Sequence, residues 1–359
     1  MKTLPQLRID IDAVDQQLLA LLDQRAALAH EVGVVKKLDG SPVFRPDREA
    51  QVIAKMQGAG SALKPEGVGA IWREIMSACR ALEEPQQVAF LGPKGTYSEE
   101  AAQQFFGSSM GSLPCQSIDE VFRATAAGSA EFGVVPIENS TEGVIARTMD
   151  LLLASNVHIV GNVSLMVRHH LLRVDSVSMD GIKVVYGHPQ ALAQCQAWLS
   201  KHLPNTERRV ASSNAEGARQ ATLDKASAAI ASHRAGVEFG LQTVAKAIQD
   251  EVHNRTRFAV ICRPEVLPLP AKTGRDAVSL VVSVKNQPGA LHDLLVPMKT
   301  HGVSMTRFES RPARSAEWEY NFYIDLVGHV SDAPVAAALA ELQALCAFYK
   351  VLGCYPAAD

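Results

Sequence analysis

The sequence predicts a multidomain protein with an all-helical N-terminal region, an α/β middle region and a small α+β region at the C-terminus. Three observations predict it. The chain has 359 residues, which is long for a single hydrophobic core. The spacing of apolar residues changes twice along the chain, from a helical period to apolar strands alternating with helical stretches and then to a compact strand and helix series. Proline-containing linkers at residues 83–87 and 264–270 separate the three regions.

One long helix is predicted for the first region, from about Leu4 to Leu38. Its apolar residues recur at alternating steps of four and three, which is the spacing of a helix-packing seam, at Leu7, Ile11, Val14, Leu18, Leu21, Leu28, Val32 and Val35. At 1.5 Å per residue the helix would be roughly 45–50 Å long, more than a small domain can cover. We therefore expect the seam to pack against a second copy of the chain. A second helix should begin near Asp47 and a third at Pro65.

The other two regions are predicted to contain strands. In the middle region, strand-like runs at 88–91, 133–135, 183–186, 228–230 and 258–261 each border a loop of small residues. Such loops line clefts in α/β folds. From about Ala277 the pattern is strand, helix, two strands, helix, with a last strand near Tyr349 to Leu352, which is a ferredoxin-like βαββαβ order.

Composition and charge exclude several functional classes. With 47% hydrophobic residues, 20% charged residues and a formal net charge of -3, nothing indicates disorder or a nucleic-acid partner. We find no signal peptide and no membrane-spanning run, so the expected compartment is the cytoplasm. The six cysteines form no CxxC pair and no HExxH occurs, so no metal and no cofactor are expected.

A cation interrupts the apolar seam of the first helix. Arg25 lies where the four-and-three spacing calls for a leucine. Alone, such an arginine is explained by a salt bridge or by a side chain that keeps its charge in water. The same region also carries Arg8, Lys36, Arg48 and Glu49. Several cations with few carboxylates suit a small dianionic ligand.

With these residues in their segments LRxxID, LLDQR, EVGVVK and SPVFRPDRE, the region resembles the all-helical chorismate mutases. The resemblance implies a domain over residues 1–84. It also implies a set of chorismate-binding residues, namely Arg8, Arg25, Lys36, Arg45, Arg48, Glu49, Cys79 and Glu83. In this family one arginine is donated across the dimer, and the pattern assigns that role to Arg8. Lys36, Glu49 and Glu83 would be catalytic, with Lys36 and Glu83 flanking the breaking ether oxygen, while Arg45 would contribute mainly a backbone N–H.

The implied rearrangement is unimolecular and needs no nucleophile. The site works by holding a compact conformer and by placing donors where negative charge develops, each contributing about 3 kcal/mol. Two positions depart from the family. Glu83 stands where many members have glutamine and donates only when protonated, so we expect mutase activity to decline as the pH rises through neutrality. Cys79 stands where a serine is often found, and Ser77 is the alternative for that position.

Five loops of the middle region combine small residues with hydroxyl and amide side chains at predicted strand ends or helix starts. They are GPKGTYS (92–98), VPIENS (135–140), GHPQ (187–190), SSNAEGA (212–218) and NRTRF (254–258). Each alone is explained by helix N-capping. Together they provide cradles for a dicarboxylate without a basic surface. The first is neither a Walker loop nor a GxGxxG fingerprint, so nucleotide binding is not indicated.

In this order the loops resemble prephenate dehydratase over residues 87–264. The resemblance implies a two-lobed fold like that of periplasmic binding proteins, with the site in the cleft. It assigns prephenate to Thr96, Glu138, Asn139, Ser140, Gln190, Thr256, Arg257 and Phe258. Thr256 would contact the departing hydroxyl as the catalytic residue. Because a threonine hydroxyl is a poor acid, Thr256 needs either a proton relay or a strongly polarised hydrogen bond. His188 is available as a relay, or it orients the loop before Pro189.

The third region, residues 275–355, resembles the ACT domains that bind amino acids. Two segments carry the resemblance, NQPGAL at 286–291 and FESRP at 308–312. They imply a phenylalanine site formed by Asn286, Gly289, Ala290, Leu291, Glu309, Ser310 and Arg311. Gly289 would let a ligand approach the backbone closely. A purely structural ACT domain is the alternative.

The three resemblances together imply an enzyme of phenylalanine synthesis with two activities. It would convert chorismate to prephenate and then prephenate to phenylpyruvate, with feedback inhibition by phenylalanine at the ACT domain. A homodimer or a dimer of dimers is expected, with no membrane partner. One alternative is a solute-binding module fused to helices. Another is a dehydratase whose helical domain serves only dimerisation, and Arg8→Ala would discriminate because such a relic would keep whatever mutase rate it has.

Overall fold

The computed structural model describes residues 2–83, 86–175, 178–285, 287–313 and 320–357. The chain forms two compact units. One consists of Met1–Gln86 with Phe106–Gly111, and the other of Gln87–Phe105 with Ser112–Asp359. The second unit therefore contains both the α/β region and the C-terminal α+β region. Among the helices within the described ranges, none combines the length and the apolarity needed to cross a bilayer.

The first unit is built from three helices, α1 (Leu4–Asp39), α2 (Pro46–Gln57) and α3 (Pro65–Glu83). The side chain of Gln6 accepts a hydrogen bond from the Thr3 backbone at the start of α1, and Gly40 ends that helix with φ 72°. A left-handed glycine is a common helix terminator because it has no Cβ to clash. Prolines at the first position of α2 and α3 fit their fixed φ and missing donor. The predicted long helix and its two shorter partners are confirmed.

Helix α1 leaves its apolar side chains exposed. Only Gly33 is buried along its 36 residues. At 1.5 Å per residue the helix is roughly 54 Å long. The exposed apolar side chains include all eight residues of the predicted seam, namely Leu7, Ile11, Val14, Leu18, Leu21, Leu28, Val32 and Val35. A single chain therefore carries a long apolar stripe that it does not cover itself.

The α/β region folds into two lobes. The first lobe contains β1 (Gln87–Leu91), α4 (Tyr97–Phe106), β2 (Gly111–Cys115), α5 (Ile118–Ala127), β3 (Phe132–Asn139), β4 (Gly143–Val144), α6 (Ala146–Ala154) and β5 (His158–Met166). The second contains β6 (His170–Arg173), β7 (Val184–Gly187), α7 (Pro189–Gln194), α8 (Gln196–His202), β8 (Glu207–Val210), α9 (Asn214–Ala221), β9 (Ser227–Ala231), α10 (His233–Glu238) and β10 (Gln242–Ala245). Strand β11 (Arg255–Cys262) returns the chain to the first lobe.

Sheet order places the predicted loops. In the first lobe the order is β2-β1-β3-β11-β5 with β4 beside β3, and in the second it is β10-β6-β9-β7-β8. Strands β1 and β3 are parallel, as are β7 and β9, so their carboxyl ends lie at one edge of each sheet. Loops that follow such ends converge on a cleft in α/β proteins. This is the two-lobed architecture that the dehydratase resemblance implies.

The C-terminal region is a four-stranded antiparallel sheet with two helices. Its elements are β12 (Asp276–Ser283), α11 (Ala290–His301), β13 (Met305–Pro312), β14 (Tyr320–Val327), α12 (Ala333–Leu345) and β15 (Phe348–Pro356), in the sheet order β13-β14-β12-β15. Leu294 of α11 and Leu342 of α12 pack on one face of this sheet. On the other face, Tyr323 and Leu352 join the core of the first lobe. The predicted βαββαβ order is confirmed, and the sheet is packed between its own helices and the α/β region.

Candidate active sites

The helical unit contains a pocket of about 360 Å³. Seven of the eight residues predicted to bind chorismate line it, namely Arg25, Lys36, Arg45, Arg48, Glu49, Cys79 and Glu83. The eighth, Arg8, is exposed on α1 and does not line it. The pocket thus collects cations from all three helices and from the residue before α2, which the four-and-three spacing alone could not show.

Most charges in this pocket are paired. Arg45 binds the buried Asp47 through two hydrogen bonds, Nε to Oδ1 at 3.0 Å and Nη2 to Oδ2 at 2.6 Å. Lys36 Nζ lies 3.4 Å from Glu83 Oε2 and donates to the Val43 carbonyl at 2.7 Å. Each of these acids therefore has a cation within reach of its carboxylate.

Two arginines of the pocket, Arg25 and Arg48, have no acidic partner among the described residues. Arg25 Nη1 donates to the Cys79 sulfur at 2.9 Å. An arginine with no acid partner at a pocket wall is suited to bind a carboxylate of a ligand.

Arg80 is a pocket residue that sequence reasoning missed. Its guanidinium pairs with Glu49, donates to the Phe106 carbonyl and lies 4.8 Å from the centre of the Phe44 ring. Burial raises the pKa of Glu49, and the nearby Arg80 opposes that rise. The position of Arg80 on an amphipathic helix was the only sequence feature that could have identified it as a pocket residue. Its hydrogen-bond partner Phe106 is 26 residues away in sequence, so the contact itself could not be predicted.

The two candidates for the serine position face different surroundings. Cys79 lines the pocket and accepts a hydrogen bond from Arg25. Ser77 is buried elsewhere in the helical unit and accepts a hydrogen bond from the Ser109 backbone at 3.2 Å. Of the two, only the Cys79 side chain is directed to the pocket.

In the first lobe, Asn139 and Thr256 are opposite each other on β3 and β11. Asn139 Nδ2 donates to Thr256 Oγ1 at 2.9 Å and to Asn254 Oδ1 at 2.8 Å. Asn139 Oδ1 accepts from the backbone and hydroxyl of Thr141, at 3.0 and 2.6 Å. These bonds fix which end of the amide faces Thr256, because only the nitrogen end can donate. Thr256 Oγ1 is therefore an acceptor toward Asn139, and its own hydrogen points elsewhere.

Asn254 is a second residue that the sequence prediction left out, although it lies in the NRTRF segment. It is 1% exposed, and its Nδ2 finds no hydrogen-bond partner among the described residues. A buried donor without a partner is uncommon in folded proteins. It lies beside the Asn139 and Thr256 pair.

The remaining residues assigned to prephenate have varied surroundings. Ser140 Oγ accepts from the Arg255 backbone at 2.9 Å, and Thr96 Oγ1 donates to the Leu91 carbonyl at 3.0 Å, so both hydroxyls hold loops in place. Gln190 lies in the first turn of α7, in the second lobe. Phe258 is 2% exposed.

The charged pair Arg257 and Glu138, beside Thr256 and Asn139, is linked to the C-terminal region. Arg257 and Glu138 are opposite each other on β11 and β3, next to Thr256 and Asn139. Arg257 Nη1 lies 3.2 Å from Asp325 Oδ2, on β14, and 3.8 Å from Glu138 Oε2. The side chain of Arg257 is thus engaged by an acid of the C-terminal sheet.

The two lobes are bridged around this site. Ser232 Oγ of the second lobe donates to the Gly95 carbonyl at 3.1 Å, and Gln194 Nε2 lies 3.4 Å from Thr141 Oγ1. A groove of about 680 Å³ also lies between the lobes, lined among others by Tyr97, His170 and His233. None of the residues assigned to prephenate lines that groove. The hydrogen-bonded centre at Asn139, which contains the predicted residues, is therefore a candidate active site separate from this groove.

A cavity of about 200 Å³ lies at the start of α11. Gly289, Ala290 and Leu291 line it together with Tyr320 and Phe322. Gly289 has φ 84° and no neighbour near the position of a Cβ. Asn286, also assigned to phenylalanine, lies outside the described residues.

The second segment assigned to phenylalanine runs along β13. Glu309, Ser310 and Arg311 lie opposite residues 321–323 of β14. None of the three lines the cavity at α11, and Arg311 Nη2 lies 3.2 Å from Asp150 Oδ1 on α6. In a single chain the two predicted segments are therefore not joined in one cavity.

Comparisons with known proteins agree with these three regions. Residues 7–84 match the model of type II chorismate mutase, residues 88–266 that of prephenate dehydratase and residues 278–344 that of the ACT domain. The bifunctional chorismate mutase/prephenate dehydratase of Pseudomonas aeruginosa is 45% identical over 361 residues, covering 99% of this chain and 98% of the relative.

Two solved structures resemble the second unit. The prephenate dehydratase of Arthrobacter aurescens in complex with L-Phe is 34% identical with a TM-score of 0.69, covering 75% of this chain and 89% of that one. A quorum-quenching acylase is 30% identical with a TM-score of 0.70, covering 76% of this chain and 99% of that one. Because the match to the bifunctional relative extends over nearly the whole of both chains, the chain belongs to the bifunctional chorismate mutase/prephenate dehydratase family.

Proposed function

We propose that this chain converts chorismate to prephenate in the helical pocket and prephenate to phenylpyruvate at Thr256, with phenylalanine acting as an inhibitor at the ACT domain. The observation that carries the proposal is the hydrogen bond that Asn139 donates to the hydroxyl oxygen of Thr256. Because Thr256 accepts this bond, its hydroxyl hydrogen can be donated to a ligand. The helical pocket and the cavity at α11 supply the other two sites.

The charge balance of the helical pocket suits a dianion. Asp47, Glu49 and Glu83 each have a cation as partner, which leaves Arg25 and Arg48 for two carboxylates. Chorismate carries two carboxylates. Oppositely charged partners of fixed geometry favour one orientation of such a ligand.

Mutase chemistry in this pocket follows from confinement and charge. As the ether C–O bond breaks and the new C–C bond forms, negative charge grows on the ether oxygen. Lys36 and Glu83, 3.4 Å apart, would flank that oxygen, where Lys36 donates to it and Glu83 donates only after it has gained a proton. Each donor that strengthens in the transition state contributes about 3 kcal/mol.

The dehydratase step needs a donor at the departing hydroxyl. In prephenate the bond between the ring and its carboxylate breaks, the carboxylate leaves as carbon dioxide and the bonding electrons make the ring aromatic. The ring hydroxyl leaves as water, with the added proton coming from solvent. Thr256 donates a hydrogen bond to that hydroxyl, and Asn139 strengthens it by donating into the same oxygen. Of the two options left open by the sequence, the geometry supports the polarised hydrogen bond.

Phenylalanine fits the cavity at α11 by its chemistry. Gly289 is the N-cap of the helix, and the positive end of the helix dipole in the first turn favours a carboxylate. Leu291, Tyr320 and Phe322 offer apolar surface for an aromatic ring. The related dehydratase from Arthrobacter aurescens was solved with L-Phe, which supports the same ligand here.

A homodimer is part of the proposal, because α1 exposes an apolar stripe along its length. Fully burying an exposed leucine or valine contributes about 1.5–3 kcal/mol, so burying the half-exposed side chains of that stripe would stabilise an assembly by about half of this value each. Arg8 is exposed on the same helix and is absent from its own pocket. Donation of Arg8 to the pocket of a second copy would add, to Arg25 and Arg48, a third cation without an acidic partner among the described residues.

One assay series tests the proposed function. Purified protein is given chorismate, and prephenate and phenylpyruvate are followed with and without phenylalanine. We expect both products in sequence and a decline of the second step with phenylalanine. Variant Thr256→Val should stop the reaction at prephenate. Variant Arg25→Ala should slow the formation of prephenate from chorismate but should convert added prephenate at the wild-type rate. Protein that leaves both acids unchanged would contradict the proposal.

A further inference from the structure

A partly buried ion-pair network joins the ACT domain to the dehydratase strands. Asp325 of β14 is 6% exposed, and its Oδ2 lies 3.2 Å from Arg257 Nη1. Arg307 of β13 lies 3.9 Å from the same oxygen and 3.7 Å from Glu138 Oε2. Acids and bases thus alternate, with two supplied by the ACT domain and two by the dehydratase strands.

The network adjoins the proposed catalytic pair directly. Arg257 follows Thr256 on β11, and Glu138 precedes Asn139 on β3. The two strands are in register at both positions, so Arg257 is opposite Glu138 and Thr256 is opposite Asn139. A shift of the Arg257 side chain and backbone would therefore change the distance between Asn139 and Thr256.

The carboxylate of Asp325 is held by a hydrogen bond within the ACT sheet. Its Oδ1 accepts a hydrogen bond from Ser279 Oγ at 2.6 Å, and Ser279 Oγ lies 2.7 Å from Tyr355 Oη. Both partners are buried. A carboxylate held this way presents its second oxygen to Arg257 at a defined place, since its other oxygen cannot turn without losing a buried hydrogen bond.

Other contacts keep the ACT domain against the same strands. Tyr323 Oη donates to the Met149 carbonyl at 2.9 Å, and Lys350 Nζ donates to three carbonyls at the end of α6, those of Leu152, Leu153 and Ser155. Helix α6 is attached to β3, because Thr148 Oγ1 donates to the Pro136 carbonyl at 2.6 Å. The ACT sheet is therefore a rigid support for Asp325 relative to β3.

We propose that Asp325, a residue of the ACT domain, is a positioning residue of the dehydratase reaction, acting through Arg257 to keep Thr256 in hydrogen-bonding distance of Asn139. The inference rests on the proposed role of Thr256. Asp325 does not reach the substrate. Its removal should therefore lower the rate of the chemical step more than the binding of prephenate.

The test compares single and double variants in the full-length chain. Asp325→Asn keeps the shape and the bond from Ser279 but removes the charge facing Arg257. We expect its dehydratase kcat to fall about tenfold or more, with KM for prephenate nearly unchanged. Asp325→Glu should recover part of the rate. Arg257→Gln should lower kcat similarly, and the double variant should lose little more than either single variant, because both remove one interaction.

Ser279→Ala is the matched control. It removes a buried hydrogen bond to Asp325 and leaves the charged pair with Arg257, so it should lower stability with a smaller effect on kcat. Additive losses in the double variant, or an unchanged kcat in Asp325→Asn, would overturn the inference. So would a rise in KM alone, since Arg257 would then act on binding. If any of these outcomes occurred while Thr256→Val still lost dehydratase activity, the role of Asp325 would be wrong but the proposed function would stand.

Discussion

The side-chain amide of Asn139 donates to the hydroxyl of Thr256, with Nδ2 and Oγ1 2.9 Å apart. In Asn139→Asp the carboxylate keeps the bonds that Oδ1 accepts from Thr141 but can no longer donate to Thr256. The threonine hydrogen would turn to the carboxylate. We expect dehydratase kcat to fall about 100-fold, the usual loss when one preorganised donor is removed.

Measurement of both activities on one preparation checks this prediction. Mutase activity should be unchanged, because its pocket lies in the other unit. Asn205→Asp, the same replacement on an exposed turn, should retain both activities. Full dehydratase activity in Asn139→Asp would remove the hydrogen bond to Thr256 from the mechanism.

Glu83 predicts a pH dependence of the mutase. The side chain lies 3.4 Å from Lys36, and a carboxyl group donates to the ether oxygen only when it is protonated. In Glu83→Gln the amide donates at every pH, so we expect the mutase pH profile of this variant to be flatter than that of the wild-type chain. Glu49 is present in both proteins and does not distinguish them. Superimposable pH profiles would exclude Glu83 as the donor.

Arg80 should be required for the stability of the helical unit and for its catalysis. Arg80→Met keeps much of the apolar stem but leaves the partly buried carboxylate of Glu49 without its ion-pair partner. Breaking a buried pair from one side costs about 3–5 kcal/mol, and we expect a loss at the lower end of this range because Glu49 is partly exposed. Urea unfolding followed by mutase assay should show the loss, and the double variant Glu49→Gln, Arg80→Met should recover part of the stability.

The loss in Arg80→Met should depend on pH in a defined direction. Burial already raises the pKa of Glu49, and Arg80 opposes the rise, so the variant should raise that pKa further. A raised carboxyl pKa means that the folded state holds the proton more tightly than the unfolded state. The variant should therefore be closest to wild type at acidic pH and lose stability as the pH rises. A destabilisation independent of pH would assign the effect to the lost contacts of Arg80 with the Phe44 ring and the Phe106 carbonyl.

Local spacing predicted the elements, because it follows from helix and strand periods, whereas the pocket residues were implied by the resemblance to chorismate mutases. The four-and-three pattern predicted α1, and the loop segments placed Asn139 and Thr256 at predicted strand ends, without predicting that the two strands pair. Partners that are distant in sequence were not predictable in this way. Arg257 was assigned to the substrate by its neighbours in the NRTRF segment, whereas its side chain lies against Asp325, 68 residues later. Arg80 was missed for the same reason, since its carbonyl partner is on Phe106.

Gly289 should be needed for the response to phenylalanine. It begins α11 at the cavity with φ 84°, a conformation that costs other residues about 1–2 kcal/mol. Gly289→Ala should therefore distort the start of the helix and raise the phenylalanine concentration needed for half inhibition, with basal dehydratase activity retained. Gly302→Ala is the matched control, because Gly302 ends the same helix with φ 65°, is equally free of neighbours and does not line the cavity. Equal inhibition of both variants would place the ligand elsewhere.

A shared mutase site can be tested by complementation between Arg8→Ala and Arg25→Ala chains. Each variant alone should lose most mutase activity, the first because its partner lacks a donated arginine and the second because its own pocket is incomplete. Co-expressed with different tags and purified through both, the mixed dimer should contain one site with both arginines and one with neither. Since the two sites of a symmetric dimer are equivalent, about half of the wild-type rate should return. Dehydratase activity measures the amount of active chain in each preparation. No recovery in the mixed dimer would mean that Arg8 acts within its own chain or not at all.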